Sequence, residues 1–86
     1  MNMIGSIIQE QGITFVIILV HHLEANTDAD AARTRAKWQP YFENLPVILA
    51  YKDSKGELVY QGRPDIARFL AGIAPDRIPW AEYRDS

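Results

Sequence analysis

Apolar and polar positions change period several times along the chain, and each change marks an element. Between Met1 and Gln11, Ile4, Ile7 and Ile8 recur at helical spacing and Gly12 follows, which predicts a short helix closed by that glycine. From Ile13 the run ITFVIILVHH is apolar almost throughout and rich in β-branched residues. That composition predicts a strand over 13–22 buried on both faces, near the centre of a sheet covered by helices. Leu23 to Asn26 is its polar exit. Thr27, with Asp30 three residues on, makes a capping-box pattern, and Asp28 and Asp30 suit the positive end of the helix that follows. Ala29, Ala32 and Ala36 give that helix a small-residue face able to lie close to the sheet, while Arg33, Arg35 and Lys37 look outward or sideways. Pro40 stops it near Trp38, because a proline inside removes a backbone bond and clashes with the preceding turn.

Tyr41, Phe42 and Leu45 lead as an aromatic connection into a hairpin. Val47 to Lys52 is apolar and β-branched, Glu57 to Gln61 alternates, and Asp53-Ser54-Lys55-Gly56 between them places a glycine where positive φ is wanted. At Gly62-Arg63-Pro64-Asp65 the period passes from two to 3.6. Pro64 suits the first helical position, Ile66, Phe69, Leu70 and Ile73 fall on one stripe, and Gly72 supplies a stop. The remaining APDRIPWAEYRDS has no sustained period, so Ile78, Trp80 and Tyr83 are its anchors on the body and its last residues are loose.

With 86 residues, 48% hydrophobic and 23% charged, the chain makes one globular domain, 1–74, with a C-terminal tail over 75–86 packed on or near it. A net charge of −2 argues against a general nucleic-acid binder, which needs clustered cations on a basic body. The absence of cysteine removes disulfides, thiolate metal sites and dithiol redox chemistry, and fits a reducing cytoplasm. Ile13 to Val20 is too short to span a bilayer, so no membrane association is expected, and the start lacks the basic region of a secretory signal.

Leu45-Pro46-Val47 at the hairpin entry, Glu57-Leu58-Val59-Tyr60-Gln61-Gly62 in its second strand and Asp65-Ile66-Ala67-Arg68-Phe69-Leu70 in the helix resemble the second half of a glutaredoxin or of a glutathione transferase N-terminal domain. Both belong to the thioredoxin-like superfamily. The resemblance covers roughly residues 4 to 73 and implies a truncated thioredoxin-like α/β domain of order α-β-α-β-β-α, lacking the family's first strand and the catalytic residue on the loop after it. It also implies a cis Leu45-Pro46 bond, a Leu45 backbone offered to the γ-glutamyl peptide of glutathione, and a Gln61-Gly62 pair at the γ-glutamyl end. Gln61 fits the transferase pattern; Gly62 departs from its serine, although glutaredoxins place glycine there. In the family the missing strand lies between the second strand and the hairpin. Strand 13–22 therefore pairs directly with 46–52 in a three-stranded antiparallel sheet, or a homodimer fills the gap, since an apolar strand left at an edge invites aggregation.

Of the other candidate chemistry, His21 and His22 point to opposite faces if they lie on a strand and then cannot share a metal. No Ser-His-acid set or carboxylate pair is legible. Gly62 and the start of the 64–71 helix form an anion pocket with Arg63 beside it, although Asp65 opposes a negative ligand. Trp38, Tyr41, Phe42 and Trp80 are aromatics in excess of what a small core readily hides, and form a candidate partner surface. The expected function is non-enzymatic and cofactor-free: a module that docks another protein through a sheet edge, the Pro46 platform or the aromatic patch. The alternative is a binder of glutathione or another small anion at Leu45, Pro46, Val47, Gln61, Gly62, Arg63 and Asp65.

Overall fold

The computed structural model describes residues 2–10 and 12–84. Over these residues the order is β1 (Asn2–Glu10), β2 (Ile13–Leu19), α1 (Asp28–Trp38), β3 (Val47–Lys52), β4 (Leu58–Gln61), α2 (Pro64–Ala71) and β5 (Ala81–Arg84), with short 3-10 turns between some of them. The strands form one sheet in the order β4-β3-β2-β1-β5. β2 and β3 are parallel, and the other neighbouring pairs are antiparallel. A parallel pair needs a long crossover, which α1 supplies, whereas the β1-β2 and β3-β4 pairs close through short turns.

The core divides by the strand period of two. Val16, Ile18, Val47 and Leu49 turn to one face, where they pack with Ala31 and Trp38 of α1; Phe15, Ile17, Ile48 and Ala50 turn to the other, with Ile66 and Leu70 of α2. The molecule is thus a small mixed α/β domain of three layers, helix on sheet on helix. Full burial of each Phe, Ile, Leu or Val side chain is worth about 1.5–3 kcal/mol, so β2 and β3, apolar on both faces, supply most of the drive for folding. The helix limits follow local chemistry. Thr27 accepts the Asp30 N–H at 3.1 Å to cap α1, which ends at Trp38 just before Pro40; α2 begins on Pro64 and stops at Gly72.

Three expectations are corrected. Residues 2–10 are a strand, not a helix, so the order α-β-α-β-β-α does not hold. Ile4, Ile7 and Ile8 sit at helical spacing, but β-branched side chains and an interior glycine are poor helix formers, and β2 offers an apolar edge to be paired. Gly12, at φ 78°, serves the tight β1-β2 reversal, in which Glu10 faces Ile13. Second, β2 pairs directly with β3, as one of the two expected arrangements has it, but in parallel rather than antiparallel fashion; β1 covers the other side of β2, so the sheet is five-stranded and mixed rather than three-stranded and antiparallel, and no homodimer is needed between β2 and the hairpin. Third, the tail contributes a strand: β5 pairs with β1 from Asn2 to Gly5, and Ile78 is buried in the α2-side core.

Candidate functional site

The corner expected to hold a small ligand is assembled but already bonded within the chain. The Leu45 N–H donates to the Phe42 carbonyl at 3.1 Å, the Leu45 carbonyl accepts Gln39 Nε2 at 2.9 Å, and the Pro46 carbonyl accepts the Val16 N–H at 3.0 Å. The Leu45-Pro46 peptide is trans, since no cis bond occurs among the described residues. Val47 is buried at the start of β3. Gly62 lies against it: a Cβ there would stand 2.7 Å from Ile48 Cδ1 and 3.2 Å from the Val47 carbonyl oxygen, at a φ of 153°. Gln61 Oε1 accepts a hydrogen bond from Arg35 of α1, and Arg63 pairs with Asp65 at 2.9 Å on the surface. Partial desolvation, which would raise the Asp65 pKa, is outweighed by hydrogen bonds from Arg63 and the Ile66 N–H and by the Arg63 charge, so the carboxyl titrates below its ordinary range.

The aromatic patch does not gather at the surface. Trp38 and Phe42 are buried in the α1-side core, Trp38 on the face of α1 that also buries Ala31 and Thr34, and Phe42 directly after the 3-10 turn at Gln39–Tyr41. Tyr41 stays 54% exposed, its ring 5.8 Å from that of Trp38. Trp80 packs against the opposite core and donates Nε1 to the Pro75 carbonyl at 3.0 Å. His21 and His22 lie beyond the end of β2 rather than on it, so the opposite-face expectation fails: His21 caps a 3-10 turn through Nδ1, and the two rings stand 4.3 Å apart. Among the described residues no group of three or more His, Asp or Glu is placed to hold a metal, and no helix is long and apolar enough to cross a membrane.

What the fold leaves open is the β4 edge. Asp53 donates to the Glu57 carbonyl at 2.9 Å across the hairpin, and in an antiparallel ladder bonded and non-bonded pairs alternate. The register Tyr51 with Val59 and Leu49 with Gln61 therefore turns the backbone groups of Val59 and Gln61 inward to β3, and those of Leu58 and Tyr60 outward. Leu58, Val59, Tyr60 and Gln61 carry no charge. At the other edge, β2 sends the N–H groups of Val16 and Val20 to β3, so the same parity turns Glu82 and Arg84 outward on β5, with an ion pair between their side chains. Edge charges discourage strand addition; their absence permits it. Beside β4, on the α2 face, runs an open groove of about 540 Å³ bordered by Glu57, Leu58, Tyr60, Ala71, Ile73 and Pro75. The Tyr60 hydroxyl is buried there with no partner among the described residues, and burial pushes its pKa above the usual 10.

No protein-family model, curated protein or solved structure matches this chain. The β4 edge accordingly stands on its own geometry. Sequence reasoning named a sheet edge without saying which, and passed over Leu58, Tyr60, Ala71 and Ile73 as scaffold. The signal present in the sequence was an uncharged alternating strand, Leu58 to Gln61, directly after a turn; its place at the rim followed only from strand order.

Proposed function

We propose that this chain is a non-catalytic binding and assembly module that takes an added protein strand along β4. The observation that carries the reading is the uncharged rim itself, with the outward amides and carbonyls of Leu58 and Tyr60 beside a groove that is apolar along Leu58, Tyr60, Ala71 and Ile73 and carries Lys52 and Glu57 at its hairpin end. Strand addition of this kind draws affinity from main-chain bonds and specificity from alternate side chains. Leu58 and Tyr60 both turn to the groove side, so every second side chain of an incoming strand would lie along it. The setting we propose is a reducing cytoplasm, in keeping with a cysteine-free composition. Kinship with thioredoxin-like chains enters the proposal through the hairpin and α2 alone; the parallel sense of the β2-β3 pair departs from the antiparallel pairing that kinship implies.

Selection of extended peptides from a displayed library, followed by amide-shift mapping, tests the reading. Binders are expected to move residues 56–61 and 71–75. Binders that map elsewhere would refute edge docking, as would an edge that neither selects a peptide from the library nor pairs with any other strand. Reduced glutathione added to the same sample tests the rival: shifts confined to 45–47 and 61–65 at millimolar concentration would favour a small-ligand site instead.

A further inference from the structure

We infer that the strand added to β4 is β4 of a second copy, giving a twofold dimer with one continuous ten-stranded sheet. The inference rests on the edge-docking reading above and names its occupant. Outward-bonding residues Leu58 and Tyr60 lie symmetrically about Val59. Two antiparallel β4 strands related by an axis at Val59 therefore set Leu58 of one copy against Tyr60 of the other, and both of these pairs are of the bonded kind. All four outward N–H groups and their four carbonyls are met at once.

The side chains agree with that register. Leu58 and Tyr60 are on the groove side of the sheet, so each cross-strand pair is aliphatic on aromatic, a favourable combination across a ladder. Val59 meets its own copy on the α1 side. One step beyond the strand, Glu57 falls opposite Gln61, so no two like charges face each other along the seam. A strand of arbitrary sequence has no such built-in match. At β5 the same operation would bring Glu82 and Arg84 into the seam, two charges per strand to be desolvated and already paired within their own chain. The β4 seam is short, so the dimer belongs to the weak, small-interface class and forms with rising concentration.

Sedimentation of the full chain across a wide concentration range tests this, with Val59→Lys and Val59→Glu as variants. Residue 59 faces itself only if two β4 strands pair about this axis. Each variant alone is then expected to weaken the dimer by about ten-fold or more through facing like charges, and an equimolar mixture to recover it. Amide exchange of the unaltered chain supplies a reading that needs no variant: protection of the Leu58 and Tyr60 amides is expected to rise with concentration while that of exposed loops does not. A chain that stays monomeric at millimolar concentration overturns the self-pairing. If library peptides still bind at β4, only the occupant is wrong, whereas an edge that takes neither copy nor peptide ends the docking reading as well. A dimer indifferent to both variants, or one not recovered on mixing, also overturns the inference, since another surface then holds it.

Discussion

Gly5 marks the closest approach of β1 to β2. A Cβ there would run into the Ile17 carbonyl oxygen, a backbone atom that cannot swing aside, and would also meet Met3 Cε at 2.5 Å. Gly12 is the opposite case: its φ of 78° favours glycine, yet nothing lies within 4 Å of an added Cβ. Gly5→Ala is therefore expected to cost about 3 kcal/mol by overpacking, and Gly12→Ala about 1 kcal/mol by backbone conformation. Urea unfolding checks the order, and equal costs would deny the tight β1-β2 packing. Ser6, next along β1, is 1% exposed, and its hydroxyl has no partner among the described residues. A buried orphan hydroxyl is a liability of about 1–3 kcal/mol, so Ser6→Ala should leave stability unchanged or raise it. A fall in the unfolding midpoint would mean that the hydroxyl finds a partner in solution.

Along the elements, the same residue types divide by what packs over them. Trp38 closes α1 and is 8% exposed, whereas Tyr41, three residues on, is 54% exposed. Trp38→Ala should lose about 3–5 kcal/mol, and Tyr41→Ala should stay within about 0.5 kcal/mol, both read by chemical denaturation; similar losses at the two sites would contradict this division. At the head of α2, Asp65 is stabilised as a carboxylate, chiefly against partial desolvation, by Arg63 and backbone N–H groups. Its folded pKa is depressed, so the stabilisation is present above the ordinary aspartate range and is lost as pH falls through the lowered value. Carbon-detected titration of the carboxyl should show that low midpoint, and Arg63→Gln should move it upward; a midpoint indifferent to Arg63 would remove the ion pair's role. The limits of α1, α2 and the β3-β4 hairpin were legible because each end carries a local device: Thr27, Pro40, Gly56, Pro64, Gly72; the buried face of α1 was not, since Ala31, Thr34 and Trp38 turn inward while Ala29, Ala32 and Ala36 are exposed. Nor was β1. Ile4, Ile7 and Ile8 satisfy a helical stripe, while Gly12 serves a helix end as well as a hairpin, and only the demand of β2 for a neighbour decides between them. The candidate edge was legible as a strand but not as a rim, since strand order is a property of the assembled sheet.

For the whole molecule, the segment after α2 crosses from the β4 side to the far side of the sheet, leaving Ile78 in the core before β5 closes on β1. The consequence is that the final residues secure the first ones. By the ladder parity, β5 engages the backbone of Met3 and Gly5, and Tyr83 packs beside Met3, which is only 5% exposed. A domain of this length has a total stability of roughly 4–13 kcal/mol. Ending the chain after Ile78 removes β5 together with the packing of Trp80 and Tyr83, a loss of about 2–4 kcal/mol when partial burial and the ladder bonds are combined. It also bares an outer β1 edge carrying Ile4 and Ile7, which are already 44% and 45% exposed. The shortened chain should unfold at distinctly lower urea and associate into species larger than a dimer, because β4 and the 2–9 part of β1 would then both be uncharged edges. Size-exclusion with light scattering reads the second effect and denaturation the first. A shortened chain with an unchanged midpoint and mass would show that β5 does not hold β1 in place, and that the uncharged length of β1 is harmless at the rim of this sheet.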